Sequence, residues 1–191
     1  MEIKTVLIAN RGEIACRLIQ TCKRMGLATV AIHSDVDAVT PHVAMADVAI
    51  SLGNPKCYLD IDAVVKACKD SNADAVLAGY GFLSENPDFV EALNKNGILF
   101  VGPTIDNMAQ FALKNKAREL AKEVGVPIAP GSPPIADVEE AVAFAEREIG
   151  YPLMIKSAAG GGGIGMFRYV FRGFNIFFCL GFTIEDFSLN L

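Results

Sequence analysis

The sequence has few of the residues that build metal centres or disulfide frameworks. Of its 191 residues, five are Cys, two are His and none is Trp, and no two cysteines form a CxxC pair. Structural zinc sites need clustered Cys and His ligands, and small secreted frameworks pair an even number of cysteines. The composition therefore predicts no metal site of this kind, and we expect reduced thiols packed as small apolar side chains.

Basic blocks, targeting segments and membrane spans are also missing. The 22 acidic residues outnumber the 17 basic ones, and the net charge of −5 opposes binding to nucleic-acid phosphate. The amino terminus leads directly into an apolar strand without leader features. The apolar stretch 169–182 is shorter than the roughly 20 residues that a bilayer span needs. We predict a cytoplasmic protein that binds neither nucleic acid nor membrane.

The first hundred residues instead alternate between strand-like and helix-like segments. Thr5–Ala9 is an unbroken apolar run, typical of a strand covered on both faces. Glu13–Met25 has apolar residues at helical spacing, and Asn86–Pro87 predicts the start of a later helix that Gly97 ends. Further predicted strands cover 29–33, 48–52, 75–78 and 98–101. This alternation with short connections predicts an α/β fold with a doubly wound parallel sheet.

After Pro103 the pattern becomes mainly helical. One apolar helix face includes Ala117, Leu120, Ala121 and Val124, and a proline-rich loop follows at 127–137. The spacing of Asp and Glu at 137 and 140 predicts a capped helix over 138–148, followed by a strand at 152–156. We place a domain boundary near 103–113 and divide the chain into 1–112, 113–166 and 167–191.

The segment 167–191 differs in style from the rest. It holds eight of the chain's 16 Phe and Tyr residues and shows neither helical nor strand periodicity. The favoured interpretation is a frame change, an alternative exon or a truncation. The alternative is an ordinary aromatic-rich hairpin.

A glycine-rich segment between two predicted strands is the most informative stretch. Its glycines allow backbone N–H groups to form a concave anion nest and to approach a polyphosphate closely; they are Gly160, Gly161, Gly162, Gly163 and Gly165. The pattern GxGxxG is present, but it occurs late in the chain, no helix pattern follows it, and the first strand–helix turn has only Gly12. A flap over phosphates is favoured, and a plain flexible loop is the alternative.

Two lysines are candidate phosphate ligands. Lys156 ends an apolar strand just before the glycine-rich segment, although a lysine there can equally extend to solvent. Lys114 lies near a predicted helix start, where the helix dipole disfavours a cation, which suggests an anionic partner. A solvated charge is the alternative interpretation for Lys114.

The predicted carboxyl edge of the sheet carries further polar residues. Tyr80 lies between two glycines after the fourth strand, with Glu85 close behind, and Asn10, Arg11 and Glu13 follow the first strand. Ligands of open α/β sheets bind at this edge. A simple turn leading into the Asn86 cap is the alternative.

Together these motifs resemble the start of a biotin carboxylase domain, as found in acetyl-CoA, propionyl-CoA, pyruvate and urea carboxylases. The resemblance covers residues 3–166 and rests on several motifs in order: LIANRGEIA at 7–15, GYGFLSEN at 79–86, FVGP at 100–103, and Lys156 followed by GGGGIGM at 160–166. It implies a Rossmann-like pre-ATP-grasp domain followed by the beginning of an ATP-grasp domain.

The resemblance also implies a reaction. Members of the family use ATP with Mg²⁺ to activate bicarbonate and carboxylate biotin on a carrier domain. The family's phosphate-contacting lysines correspond to Lys114 and Lys156, its glycine lid to 160–165, and its adenine-side residue to Met166. Ile164, where most members have Arg or Lys, resembles the urea carboxylase branch, including urea amidolyase. Leu77-Ala78 departs from the family's usual His-Pro.

The family's metal-binding glutamates, general base and bicarbonate-holding arginine come after the lid, and this sequence shows no match to them. We therefore predict no catalytic or metal-ligating residue in these 191 residues and expect them alone not to catalyse carboxylation. Two rival hypotheses remain open: a non-catalytic module that associates with a full-length carboxylase, and a stand-alone nucleotide-binding protein of Rossmann type.

Overall fold

The computed structural model describes residues 2–135, 137–157, 166–169 and 182–186. The chain divides into two compact units, Met1–Met108 and Ala109–Leu191. The glycine-rich segment 160–165 and most of 167–191 lie outside the described residues. Within the described part, no helix is both long enough and apolar enough to cross a bilayer.

The first unit alternates strands and helices. Its strands are β1 (Thr5–Ile8), β2 (Ala28–Ser34), β3 (Val48–Gly53), β4 (Ala75–Leu77) and β5 (Leu99–Phe100). Its helices are α1 (Gly12–Arg24), α2 (Pro41–Met45), α3 (Ile61–Asp70), α4 (Pro87–Lys95) and α5 (Ile105–Phe111), with 3₁₀ turns at Asp35–Asp37 and Pro55–Leu59.

These strands form one parallel sheet in the order β3-β2-β1-β4-β5. The sheet confirms the predicted α/β class. Leu7 points into a core with residues of α3 and α4, whereas Val6 and Ile8 pack with α1. Because β1 is buried on both faces, its sequence is continuously apolar.

The start of α4 is capped as predicted. The Asn86 side chain accepts hydrogen bonds from the backbone N–H groups of Asp88 (2.9 Å) and Phe89 (3.2 Å). Pro87 occupies the first helical turn, and Gly97, with φ of +69°, follows the helix end. These contacts satisfy helix-terminal groups that would otherwise lack partners.

The second unit contains three antiparallel strands and two further helices. They are α6 (Lys114–Glu123), α7 (Val138–Phe144), β6 (Leu153–Ser157), β7 (Met166–Tyr169) and β8 (Phe182–Asp186), with a π-helical turn at Ala145–Ile149. The strand order is β7-β6-β8. A small core gathers buried side chains from the loop before α7, from the helical segment and from β6: Ile135, Ala141, Ala145, Leu153 and Ile155.

Three features of this unit differ from the sequence expectations. Val124 is 66% exposed and lies beyond the end of α6 rather than on a buried face. The helix predicted over 138–148 is α-helical only to Phe144, and the widened π turn completes it before Gly150. Two strands lie in the region without sequence periodicity, and both pair with β6 rather than with each other, so they do not form a hairpin of their own.

Candidate functional site

The carboxyl ends of β1, β2 and β4 bring polar residues to one edge of the first sheet. Asn10 follows β1, Ser34 ends β2, and the turn at Gly79–Asn86 follows β4. Because these strands are parallel neighbours, their carboxyl ends share that edge. Asn10, Arg11 and Glu13 lie on this edge as predicted, and Asn10 and Glu13 contact the Tyr80 turn directly.

Asn10 attaches the turn to the central strand. Its side chain is fully buried. The amide nitrogen donates to the carbonyl oxygens of Ala78 (2.7 Å) and Tyr80 (2.8 Å), and its oxygen accepts from the Arg11 backbone N–H (2.8 Å). Both amide hydrogens are therefore used within the fold, which makes Asn10 a structural clamp rather than a ligand donor.

Arg11 forms a charged pair with Asp37 that the sequence analysis did not find. The Arg11 Nε donates to Asp37 Oδ2 at 2.8 Å, and a second guanidinium nitrogen donates to Oδ1. The Asp37 carboxylate is 3% exposed and also accepts from the Tyr58 hydroxyl (2.6 Å) and the Ser34 hydroxyl (3.0 Å). The Arg11 hydrogen bond, more than any other contact, holds the pKa of Asp37 well below its usual value.

Tyr80 and Glu13 form the exposed part of this edge. The Tyr80 hydroxyl donates to Glu13 Oε1 at 3.1 Å, and the Tyr80 side chain is 61% exposed. The hydrogen bond to the carboxylate raises the pKa of the Tyr80 phenol. Glu85, which the sequence also singled out, is exposed.

A hollow of about 410 Å³ lies beside Glu13 on the α1 side of this edge. Its lining includes Arg17 and Gln20 of α1 and Thr40 ahead of α2. The hollow therefore has a cation, a carboxylate and neutral polar groups on its walls, which is a mixed rather than a purely anion-binding surface.

The predicted phosphate ligands belong to the second unit. Lys114 is the first residue of α6, and the preceding Leu113 makes no side-chain capping hydrogen bond. Lys156 lies on the central strand β6, directly opposite Met166 of β7 in the antiparallel register. The five predicted lid glycines, Gly160 to Gly163 and Gly165, fall outside the described residues.

Strand alternation fixes the face on which Lys156 lies. Leu153 and Ile155 point into the small core, and successive strand side chains point to opposite faces. Lys156 is therefore on the face away from that core, where it is half-buried. The two strands adjacent to the glycine-rich segment are thus antiparallel neighbours, as a flap between strands requires.

The fold and the ordered motifs define the class: a Rossmann-like α/β unit followed by the start of an ATP-grasp domain. Residues 2–108 match the biotin carboxylase N-terminal domain, and residues 114–170 match the ATP binding domain of the carbamoyl-phosphate synthase L chain. The chain belongs to the biotin carboxylase N-terminal domain family.

Individual relatives agree with this assignment. The chain is 50% identical over 165 residues to urea amidolyase of Saccharomyces cerevisiae, covering 85% of this chain and 9% of that protein. It is 52% identical over 165 residues to the mitochondrial propionyl-CoA carboxylase alpha chain of Homo sapiens, covering 84% and 22%. The crystal structure of a biotin carboxylase–β-γ-ATP complex from Campylobacter jejuni superposes with a TM-score of 0.84 at 37% identity, covering 97% of this chain and 45% of that one. The chain thus spans less than half the length of each.

Potential metal ligands are not clustered in the described part of the chain. Across 2–135, 137–157, 166–169 and 182–186, no group of three or more His, Cys, Asp or Glu side chains is arranged to hold a metal ion. The four cysteines in the described part are free thiols, three of them buried and Cys16 half-buried.

Proposed function

We propose that this chain forms the N-terminal part of an ATP-dependent biotin carboxylase of the urea carboxylase type. In that reaction the γ-phosphoryl group of ATP activates bicarbonate, and the activated bicarbonate supplies the carboxyl group that biotin receives on its carrier domain, with release of ADP and phosphate. The observation on which the proposal rests is that Lys156, which precedes the glycine-rich segment, and Met166, which follows it, are direct partners on neighbouring antiparallel strands. The family membership of the chain supports the same reaction.

The charges proposed for this site suit a polyphosphate. An ammonium group opposes phosphate charge directly, and glycine backbone N–H groups add dipoles without side chains in the way. Lys114 and Lys156 are the proposed cations, the glycines 160–163 and 165 the proposed lid, and Met166 the proposed neighbour of the adenine. When Mg²⁺ is bound, it neutralises further phosphate charge.

The proposed urea branch rests on Ile164. Overall identity does not separate the branches, because the chain is 50% identical to a urea amidolyase and 52% identical to a propionyl-CoA carboxylase alpha chain. Ile164 replaces the Arg or Lys of most family members, which removes a positive charge from the lid. We infer that the complete enzyme belongs to the urea carboxylase branch of the family.

A pair of chimeras tests the branch. Residues 1–166 replace the aligned segment of the S. cerevisiae urea amidolyase in one chimera and of the human propionyl-CoA carboxylase alpha chain in the other. The two hosts are nearly equal in identity to the chain, so they form a matched pair. We expect bicarbonate-dependent ATP hydrolysis to be retained in the first host and reduced in the second. Equal activity in both hosts contradicts the urea assignment, and inactivity in both contradicts the biotin carboxylase assignment.

The lysine roles are tested in the active chimera. Lys156→Ala and Lys114→Ala should each lower ATP hydrolysis by about 100-fold, the usual effect of removing one electrostatic contact to the transition state. Lys116→Ala and Lys122→Ala are the controls, because both side chains are exposed on α6. Equal losses in the variants and the controls would exclude a phosphate-binding role.

A further inference from the structure

The Tyr80 turn contains a backbone conformation that its sequence does not favour. Phe82 has a φ of +46°, in the left-handed region. Bulky residues rarely adopt this conformation, and they persist there only where surrounding contacts determine the structure. Gly79 and Gly81 also have positive φ values, of +69° and +77°, but glycine adopts them without steric cost.

The Phe82 ring rests on an immobilised partner. It stacks on the Tyr58 ring with a centroid distance of 5.1 Å and an interplanar angle of 22°. Tyr58 is buried, and its hydroxyl donates to Asp37 and accepts from the Ser34 backbone N–H (3.1 Å). The Arg11 guanidinium, which holds Asp37, lies 6.0 Å from the Tyr58 ring centroid. The Tyr58 ring under Phe82 therefore cannot be displaced without breaking the two hydrogen bonds of its hydroxyl.

The same turn is held independently from the β1 side. Asn10 binds the carbonyl oxygens of Ala78 and Tyr80, and the Ser84 N–H donates to the Gly81 carbonyl at 3.0 Å. Between these fixed points the Phe82 ring is still 41% exposed. Because the Phe82 ring is half-exposed, it contributes little to the hydrophobic core. We therefore assign its role to the conformation of the turn.

We propose that Phe82 is a positioning residue of this ligand edge: its ring, stacked on Tyr58, fixes the turn that carries the Tyr80 hydroxyl to the Glu13 carboxylate. The held pair presents a phenol oxygen and a carboxylate side by side to a polar ligand. The inference goes beyond the proposed function, which rests on Lys114, Lys156 and the glycine-rich segment and not on this edge. Its test needs neither nucleotide nor turnover, so its failure is distinguishable from failure of the proposed function.

The test is a spectrophotometric titration of the Tyr80 phenol in the full 191-residue chain, assigned by the difference from Tyr80→Phe. The charged groups near this phenol are Glu13, which raises its pKa, and Arg17, which lowers it. Phe82→Gly keeps the positive φ at no steric cost and removes the ring. We expect the Tyr80 titration midpoint to fall towards the ordinary phenol value of about 10, with the thermal midpoint of unfolding nearly unchanged.

A second pair of variants distinguishes the effect of the Tyr58 ring from the effect of the Tyr58 hydroxyl. Tyr58→Phe keeps the stacking surface and should leave the Tyr80 midpoint at the wild-type value, whereas Tyr58→Leu removes the surface and should lower the midpoint. A wild-type Tyr80 midpoint in both Phe82→Gly and Tyr58→Leu overturns the proposal. A Phe82→Gly chain that does not fold also overturns it, because the ring would then stabilise the fold rather than the turn.

Discussion

Arg11 and Asp37 share two hydrogen bonds although 26 residues separate them in sequence. Arg11 follows β1, and Asp37 closes the 3₁₀ turn after β2. Asp37 is buried, whereas the Arg11 side chain is 47% exposed. The pair therefore joins the ends of two adjacent strands through a buried carboxylate and a partly exposed guanidinium.

Asp37→Asn should destabilise the first unit by about 2 kcal/mol, because hydrogen bonds to a buried charged group are lost. The exposed Arg11 can return to solvent, which limits the loss. The free energy of unfolding from urea titration measures the effect. Asp35→Asn is the matched control, since Asp35 is exposed and accepts a single side-chain hydrogen bond, from Ser51. An equal effect of the two substitutions would contradict the assigned role of the pair.

Asp47 should make the fold sensitive to acid. It accepts hydrogen bonds from the Thr29 hydroxyl (2.7 Å), the Thr29 N–H (2.8 Å) and Lys23 (3.0 Å), which lower its pKa to about 2. Because the folded value lies below the unfolded value of 3.8, the stabilisation is complete above pH 3.8 and is lost as the pH falls through about 2. Urea midpoints measured across that window should fall more for the wild type than for Asp47→Asn. The exposed Glu123→Gln variant should behave as the wild type does.

His42 predicts a second pH dependence at higher pH. Its ring is fully buried between the Thr40 hydroxyl and the Ile32 carbonyl, and this burial lowers its pKa below 6.5. As the pH falls, His42 therefore binds a proton in the unfolded chain before it does so in the folded chain. The free energy of unfolding should thus decrease as the pH drops below about 6.5. His42→Gln should flatten the dependence of unfolding free energy on pH between 7 and 5.

The control for this measurement is a neutral surface substitution. Gln110 is exposed on α5, and Gln110→Asn changes no titratable group. The Gln110→Asn chain should retain the wild-type slope. A flat profile in the wild-type protein would show that His42 does not contribute to stability in this range.

Asn86→Ala should destabilise α4 by about 1 kcal/mol, the typical effect of removing a side-chain cap. Two backbone N–H groups lose their acceptor in this variant. Asn86→Asp should restore most of the loss, because aspartate caps equally well. Thermal unfolding of the three chains measures the difference, and an Ala variant as stable as the wild type would contradict the capping role.

Local patterns in the sequence predicted the first unit well. The apolar run of β1, the Asn86 cap and the alternation of strands and helices follow from short-range rules, and the parallel sheet follows from the alternation. The signal for the polar carboxyl edge of the sheet was also local, since polar residues directly follow buried strands there.

Long-range polar contacts were not predictable in the same way. No residue near Arg11 in the sequence indicates that Arg11 pairs with Asp37. Tyr58 lies in a 3₁₀ turn, and the sequence pattern there does not predict its hydrogen bond to Asp37. The buried Asp37 could have been suspected only from the acidic residues just after β2. The π turn at Ala145–Ile149 was missed because the spacing of apolar residues does not distinguish it from an α-helix.

The central position of β1 affects how this protein is made. Its neighbours in the sheet begin at Ala28 and Ala75, so β1 leaves the ribosome before either of the strands that enclose it. At about 5–20 residues per second, its second neighbour is synthesised roughly 3–13 s later. Throughout that interval the nascent chain carries an apolar strand with an open edge, which makes β1 a candidate for chaperone protection during synthesis.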